Sequence, residues 1–200
     1  YPYNTQAVPA PRGHNLKVVG DNGGPLLMKI LGAKIQEKSI PIEFNSRALT
    51  LIIDDSDVQQ PVIGVKVRID MQERYIKACS GVILASGGFV MNDKMVKQYA
   101  PELTKCTERI GNPGDTGSGI LMGMGVGGAA INMHEGFVSL PFYPPASLTY
   151  GVFINSQGRR FVNEDSYHGR VGAFILRQTG GSVYLVLAVE DYGNYETESY

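Results

Sequence analysis

The amino-acid sequence predicts an α/β fold with α+β elements, in which a partial Rossmann-like domain with an antiparallel hairpin insertion precedes the start of a second domain. An unbroken apolar run at 82–85 ends in serine and glycines and is followed by a helical pattern at 93–99. Two strand-like runs, at 48–53 and 62–69, flank a polar loop, which is typical of a hairpin. A change of composition after residue 135 marks the second domain.

The remaining elements follow from the same periodicities and turn signals. In chain order they are a helix at 25–38, strands at 40–44 and 74–78, a glycine-rich helix at 118–130, a strand at 152–155, a helix at 170–178 and a strand at 183–188. Aromatic residues and prolines follow Glu135, so we expect domains at 1–135 and 136–200.

Composition limits the classes of partner. The chain has 200 residues, 43% of them hydrophobic and 18% charged, which indicates a globular protein. Its net charge of -1 favours a small-molecule ligand over nucleic acid or an anionic membrane. Cys79 and Cys106 have no metal-ligand spacing, and no apolar run is long enough for a membrane span. We therefore expect no metal and a cytoplasmic location.

The first motif with a chemical implication is the end of the run at 82–85, which continues as Ala85, Ser86, Gly87 and Gly88. Ligands of α/β domains bind beyond the carboxyl ends of strands, where adjacent glycines let backbone amides approach a dinucleotide. A simple turn from strand to helix explains the same residues equally well.

The second motif is the glycine-rich loop at 111–119, directly before a predicted helix. A helix N-terminus offers N–H groups and a favourable dipole to an electron-rich ligand. The alternative is that Thr116 or Ser118 only caps the helix.

The third motif is a predicted hairpin at 152–165 with its turn at Gln157 and Gly158. Tyr167, His168 and Arg170 follow it within a short connection, an arrangement suited to proton transfer. Ordinary surface polarity is the alternative interpretation.

In this order, the three motifs resemble the fumarate reductase/succinate dehydrogenase flavoprotein superfamily over about residues 12–187. The resemblance extends to the 3-ketosteroid dehydrogenase branch through Pro11-Arg12-Gly13-His14, the FYPPASL segment and residues 163–170.

The resemblance implies FAD as the cofactor. The implied FAD contacts are Ala85, Ser86, Gly87 and Gly88, the backbone around Ala48, and Asn112, Gly114, Asp115, Gly117, Ser118 and Gly119. Where many members of the superfamily have Gly-Asp-Gly, this chain has Gly117-Ser118-Gly119, so the usual contact falls to either Asp115 or Ser118.

Three differences separate this chain from the fumarate reductases that it resembles. The arginine that donates a proton there corresponds to His168, and a His-Pro substrate contact corresponds to Tyr143-Pro144. The proton relay that precedes the hairpin has no counterpart at 146–150. A pocket edged by Phe142 and Tyr143, with Glu164 as a further contact, suits a bulky apolar substrate such as a steroid-like ketone.

By analogy with the ketosteroid branch, Tyr167 removes a proton beside a carbonyl-activated carbon while a hydride passes to flavin N5. A free tyrosine has a pKa of about 10, so its use as a base needs help, for which His168 and Arg170 are candidates. An unidentified electron acceptor completes the reaction.

The strand-glycine-helix fingerprint that holds the FAD pyrophosphate in such proteins is not in this sequence, so we expect an internal fragment that is inactive in isolation. Two rival hypotheses remain open. One is a fumarate reductase-like enoate or dicarboxylate reductase, and the other is a flavoprotein-like binding module without redox activity.

Overall fold

The computed structural model describes residues 23–139 and 150–192. These form two compact units, one at 23–82 and the other from residue 83 onward. The mixture of helices and strands confirms the predicted α/β class with α+β elements. The domain boundary at 135–136 stays a prediction.

The first unit begins with helix α1, Gly23–Glu37, close to the predicted bounds. The strand predicted at 40–44 is wrong. The amide of Ile40 donates back to the carbonyl of Ile35 at 3.0 Å, and Asn45 adopts a φ of 53° in a turn. Residues 40–44 therefore lie between the end of the helix and the turn, and too few of them remain to pair with another strand.

A three-stranded antiparallel sheet completes the first unit. Its strands are β1 (Ser46–Ile53), β2 (Val62–Ile69) and β3 (Gln72–Lys77), in the order β1-β2-β3. A two-residue turn of Asp70 and Met71, both at positive φ, joins β2 to β3. The predicted hairpin insertion is thus confirmed, and β1 carries an irregularity just after Ala48.

The second unit contains helices α2 (Asp93–Tyr99), α3 (Ser118–Gly125), α4 (His168–Leu176) and α5 (Val189–Tyr192), and strands β4 (Val152–Asn155) and β5 (Val183–Val186). A 3-10 helix, Pro101–Lys105, follows α2. The bounds of α2 and β4 are as predicted.

The strand predicted at 82–85 is wrong for the described part of the chain. The segment is extended but pairs with no described strand, and Ile83 is 91% exposed. A strand needs a neighbour for its amides and carbonyls, and an apolar run does not specify that neighbour.

Helix α3 ends five residues earlier than predicted. Gly127 adopts a φ of 88°, and its amide donates to Met124 at 3.1 Å, while the amide of Gly128 donates to Gly123 at 2.9 Å. This is the Schellman arrangement that terminates helices at a left-handed glycine.

The predicted hairpin at 152–165 forms only in part. Gly158 makes the turn, but the return is limited to a bridge between Ile154 and Arg160. Strand β4 instead pairs with β5, antiparallel from Val152 opposite Val186. On the other edge of β4, the amide of Phe153 donates to the side chain of Glu164. This side chain accepts the hydrogen bond that a returning strand would otherwise accept.

Helix α4 packs closely on the backbone at Val138. A Cβ on Gly172 would lie 2.6 Å from the carbonyl oxygen of Val138, so the contact requires glycine. At the other end, Lys105 Nζ donates to the carbonyl of Leu176 at 2.9 Å. In the described ranges, no helix has the length and apolar character that a bilayer crossing requires.

Candidate functional site

The two glycine-bearing motifs of the second unit lie against each other. The amide of Gly117 donates to the carbonyl of Gly88 at 2.8 Å, and the amide of Met91 donates to the carbonyl of Asp115 at 3.0 Å. These bonds join segments that are more than twenty residues apart in the chain. Residues 85–88 and 111–119 therefore form one structural site.

Glycine is required at both crossing points. Gly87 and Gly117 each have a φ of 76°, which side chains of L residues rarely adopt. A Cβ on Gly87 would collide with the carboxylate of Asp115. One on Gly117 would collide with the side chain of Met95 and lie 2.8 Å from the Cβ of Phe89.

A cavity of about 380 Å³ lies where α3 approaches the extended segment. A Cβ on Gly119 would collide with the hydroxyl of Ser86, so the Ser86 side chain packs directly against the backbone of α3. The lining consists of uncharged residues: Leu84, Ala85, Ser86, Gly87, Gly119, Ile120, Gly123, Met124, Gly128, Ala129, Ala130, Ile131 and Met133.

Most amides of the loop at 111–117 already have partners. The amide of Asn112 donates to Asp115 Oδ2, and that of Gly114 donates to Asn112 Oδ1, both at 2.8 Å. The amide of Asp115 donates to the carbonyl of Asn112, also at 2.8 Å. These bonds fix the loop, so the N–H groups that a ligand could reach are those in the first turn of α3.

The first turn of α3 has no side-chain cap. Its N-cap is Gly117, which has no side-chain oxygen to offer to the helix. The alternative that Thr116 or Ser118 merely caps the helix is therefore wrong. The amides of Ser118, Gly119 and Ile120 occupy the positions that lack partners within a helix.

Ala48 lies in the first unit, at the irregularity of β1. Its contact with a cofactor stays a prediction. Phe142 and Tyr143, predicted to edge the substrate pocket, lie outside the described residues.

The three predicted catalytic residues lie at the start of α4. Tyr167 is the N-cap and is 39% exposed, and its ring centroid lies 4.3 Å from that of His168. The ring of Phe137 contacts both, at 6.2 Å from Tyr167 and 5.6 Å from His168. The guanidinium of Arg170 lies 5.7 Å from the ring centroid of Phe174, one turn along the helix.

Burial lowers the pKa of His168 below its ordinary value of 6.5. Charging a ring that has lost part of its water costs free energy, so the neutral form is favoured. At neutral pH the imidazole therefore adds no positive charge beside Tyr167. Any help that it gives to a tyrosine base comes through hydrogen bonding.

Glu164 has structural partners. Burial raises the pKa of its carboxyl, but hydrogen bonds from Arg160 and from the amide of Phe153 outweigh that effect, so the pKa lies below 4.5. Oε1 accepts from Phe153 N at 2.8 Å, and Oε2 accepts from Arg160 Nη2 at 2.6 Å. The predicted contact of Glu164 with substrate stays a prediction, in addition to this structural role.

Sequence reasoning placed Ala85, Ser86, Gly87 and Gly119 at the site and missed most of the cavity wall. Met124 and Met133 line the cavity, and no motif in the sequence singled them out. The spacing of Gly119 and Gly123 was an available signal, because residues four apart share one helix face. Phe137 was seen only as part of an aromatic segment, since its contact with Tyr167 spans thirty residues.

Comparison with known proteins identifies the family to which the chain belongs. Residues 8–189 match the family described as FAD binding domain. A fumarate reductase (cytochrome) of Shewanella frigidimarina is 29% identical over 179 residues, which cover 84% of this chain and 30% of that protein. A 3-oxosteroid 1-dehydrogenase of Mycolicibacterium smegmatis is 30% identical over 167 residues, covering 74% of this chain and 28% of that protein.

The same groups recur among solved structures. The crystal structure of 3-ketosteroid-Δ4-(5α)-dehydrogenase from Rhodococcus jostii RHA1, in complex with 4-androstene-3,17-dione, matches with a TM-score of 0.81 and 31% identity. The match covers 96% of this chain and 40% of that one. The chain thus spans less than half the length of these relatives. It belongs to the FAD binding domain family, related to the fumarate reductases and the 3-ketosteroid dehydrogenases, and its cofactor is FAD.

Proposed function

We propose that the protein is an FAD-dependent oxidoreductase that dehydrogenates a carbon–carbon bond next to a carbonyl in a bulky apolar substrate, a 3-ketosteroid. The observation that carries the proposal is the meeting of residues 85–88 with the loop before α3 at an uncharged cavity. The match to the R. jostii dehydrogenase supports the choice of substrate.

The residues at this junction suit a flat cofactor that carries hydrogen-bond acceptors. Gly119 has no side chain, so the backbone at the first turn of α3 is uncovered at this position, where it meets the Ser86 side chain. Of the two candidates for the usual family contact, Asp115 already holds the loop, so we assign the contact to Ser118. Residues 85–88, Ser118 and Gly119 would hold FAD together with Asn112, Gly114 and Gly117.

When bound, FAD would supply the acceptor for the hydride. The role of this chain is to remove the proton. We assign Tyr167 as the base that takes a proton from the carbon adjacent to the one that loses hydride, so that the carbon–carbon double bond forms as both C–H bonds break. His168, neutral at pH 7, orients the tyrosine. Arg170, in the first turn of α4, supplies positive charge to that region.

A second candidate is a fumarate reductase-like enoate or dicarboxylate reductase, favoured by the match to the S. frigidimarina protein. Binding two carboxylates needs cations, and a histidine with a lowered pKa occupies the position of that superfamily's proton-donating arginine. A binding module without redox activity is the third candidate.

The test uses the protein produced from its complete gene. We expect it to oxidise a 3-ketosteroid with an artificial electron acceptor and to be far less active with fumarate and a reduced dye. Bleaching of the flavin absorbance by the steroid alone would exclude a redox-inactive module. The opposite substrate preference would replace the proposal with the second candidate.

The base assignment has its own test. Tyr167→Phe keeps the ring that contacts Phe137 and His168 but removes the hydroxyl. We expect a loss of kcat of at least about a hundredfold, the usual minimum for a general base, with flavin content unchanged. Normal turnover in this variant would refute the assignment.

A further inference from the structure

We propose that Phe137 is a specificity-determining residue that contacts the apolar body of the substrate and, with Tyr167 and His168, forms the surface on which it binds. The inference rests on the proposed function. We call these three residues the aromatic cluster.

The exposure of Phe137 is the first argument. Its side chain is 68% exposed, although two ring contacts hold it in place. A ring that served only to fill a core would be covered. Phe137 instead presents apolar surface beside Tyr167, which is the kind of surface that ligand sites for apolar molecules expose.

The geometry of the contacts is the second argument. Phe137 meets His168 edge-on, at an interplanar angle of 84°, and is tilted by 53° to Tyr167. Edge-to-face contacts such as that with His168 are among the favourable arrangements for aromatic pairs. They fix the orientation of the exposed ring, so a substrate meets a preformed surface rather than a mobile side chain.

Gly169 is the third argument. A Cβ at this position would lie 2.5 Å from Cε2 of Phe137 and 3.1 Å from Cε1 of Tyr167. Both rings therefore lie against the first turn of α4 only because residue 169 has no side chain. A glycine lowers helix stability, so its presence in α4 serves the position of the rings.

The experiment measures a specificity ratio in the protein produced from its complete gene. It is kcat/KM for a 3-ketosteroid divided by kcat/KM for a monocyclic ketone that fills only the reacting end of the site. For Phe137→Ala we expect this ratio to fall on the order of tenfold, mainly through KM for the steroid. Phe137→Leu, which restores apolar surface, should recover part of the ratio.

Two further variants separate contact with substrate from general structure. Gly169→Ala displaces the rings while raising helix propensity, so the ratio should fall without a lower unfolding midpoint. Phe44→Ala is the matched control, since Phe44 is a phenylalanine with 77% exposure outside the cluster, and it should leave the ratio unchanged.

Each outcome has one meaning. A Phe137→Ala protein with the wild-type ratio, or one that loses both activities equally, overturns the role of Phe137 while the proposed function stands. A wild-type protein that binds FAD but does not oxidise the steroid overturns the proposed function itself.

Discussion

Replacement of Glu164 should destabilise the second unit, because its carboxylate links the edge of β4 to Arg160. The side chain is 4% exposed, and each oxygen accepts hydrogen bonds, from the amide of Phe153 and from the guanidinium. Hydrogen bonds to charged groups contribute roughly 1.5–3 kcal/mol. The side chain of Arg160 is 55% exposed, so solvent weakens the ion pair between Arg160 and Glu164.

Glu164→Gln keeps an acceptor for the amide of Phe153 and loses the charge, so we expect a loss of about 1–2 kcal/mol in the free energy of unfolding. Glu164→Ala also leaves the amide unpaired, and the loss should approach about 3 kcal/mol. Urea unfolding followed by circular dichroism measures both, since the sequence has no tryptophan for fluorescence. Arg159→Gln, which changes the exposed neighbouring arginine, is the control.

The effect should depend on pH in a defined direction. The folded pKa of Glu164 lies below 4.5, so its contribution is fully present above pH 4.5 and disappears as the pH falls through the folded value. The difference between wild type and Glu164→Gln should therefore vanish in acid. Equal midpoints for Glu164→Gln and Arg159→Gln at neutral pH would refute the reasoning.

Three further predictions follow from other contacts. Gly117→Ala should lower the free energy of unfolding by more than about 2 kcal/mol and release FAD, because it adds a collision with Met95 to a strained φ. Gly125→Ala is the control, since Gly125 has open space around it, and it should be neutral or slightly stabilising. Unfolding and flavin-content measurements test both variants. Because burial lowers the pKa of His168, wild type should lose stability relative to His168→Gln as the pH falls below 6.5. Thermal unfolding of both proteins at about pH 7.5 and 5.5 measures this difference. An equal change in midpoint for the two proteins would contradict it. Lys105→Met should lower stability by about 0.5–1 kcal/mol through loss of its bond to the end of α4, and an unchanged urea midpoint would show that water replaces it.

Local signals in the sequence determined the parts of the fold that were predicted well. Helix α2 begins after Asn92, whose side chain accepts from the amide of Met95 at 3.2 Å, an N-cap readable from residue type alone. The hairpin of β1 and β2 likewise follows from two strand-like runs on either side of a polar loop.

Features that depend on distant partners were not predictable in this way. The apolar run at 82–85 predicted burial, but nothing local specifies whether a strand lies beside it. The return after Gly158 fails to pair because a carboxylate from Glu164 occupies the edge of β4, a contact between side chain and backbone that hydrophobic periodicity does not encode. The glycines at 127 and 128 were predicted to be helical, although the hydrogen bonds of their amides end the helix.

The cavity beside α3 has a wall without ionisable side chains among the residues that the structure describes. A molecule held there would find no group that gains or loses a proton near neutrality. Its affinity for that part of the protein should therefore be constant across the physiological pH range and should respond little to salt. Recognition at this wall depends on shape and on main-chain dipoles, and the charge of a phosphate-bearing ligand must be balanced along another part of its length.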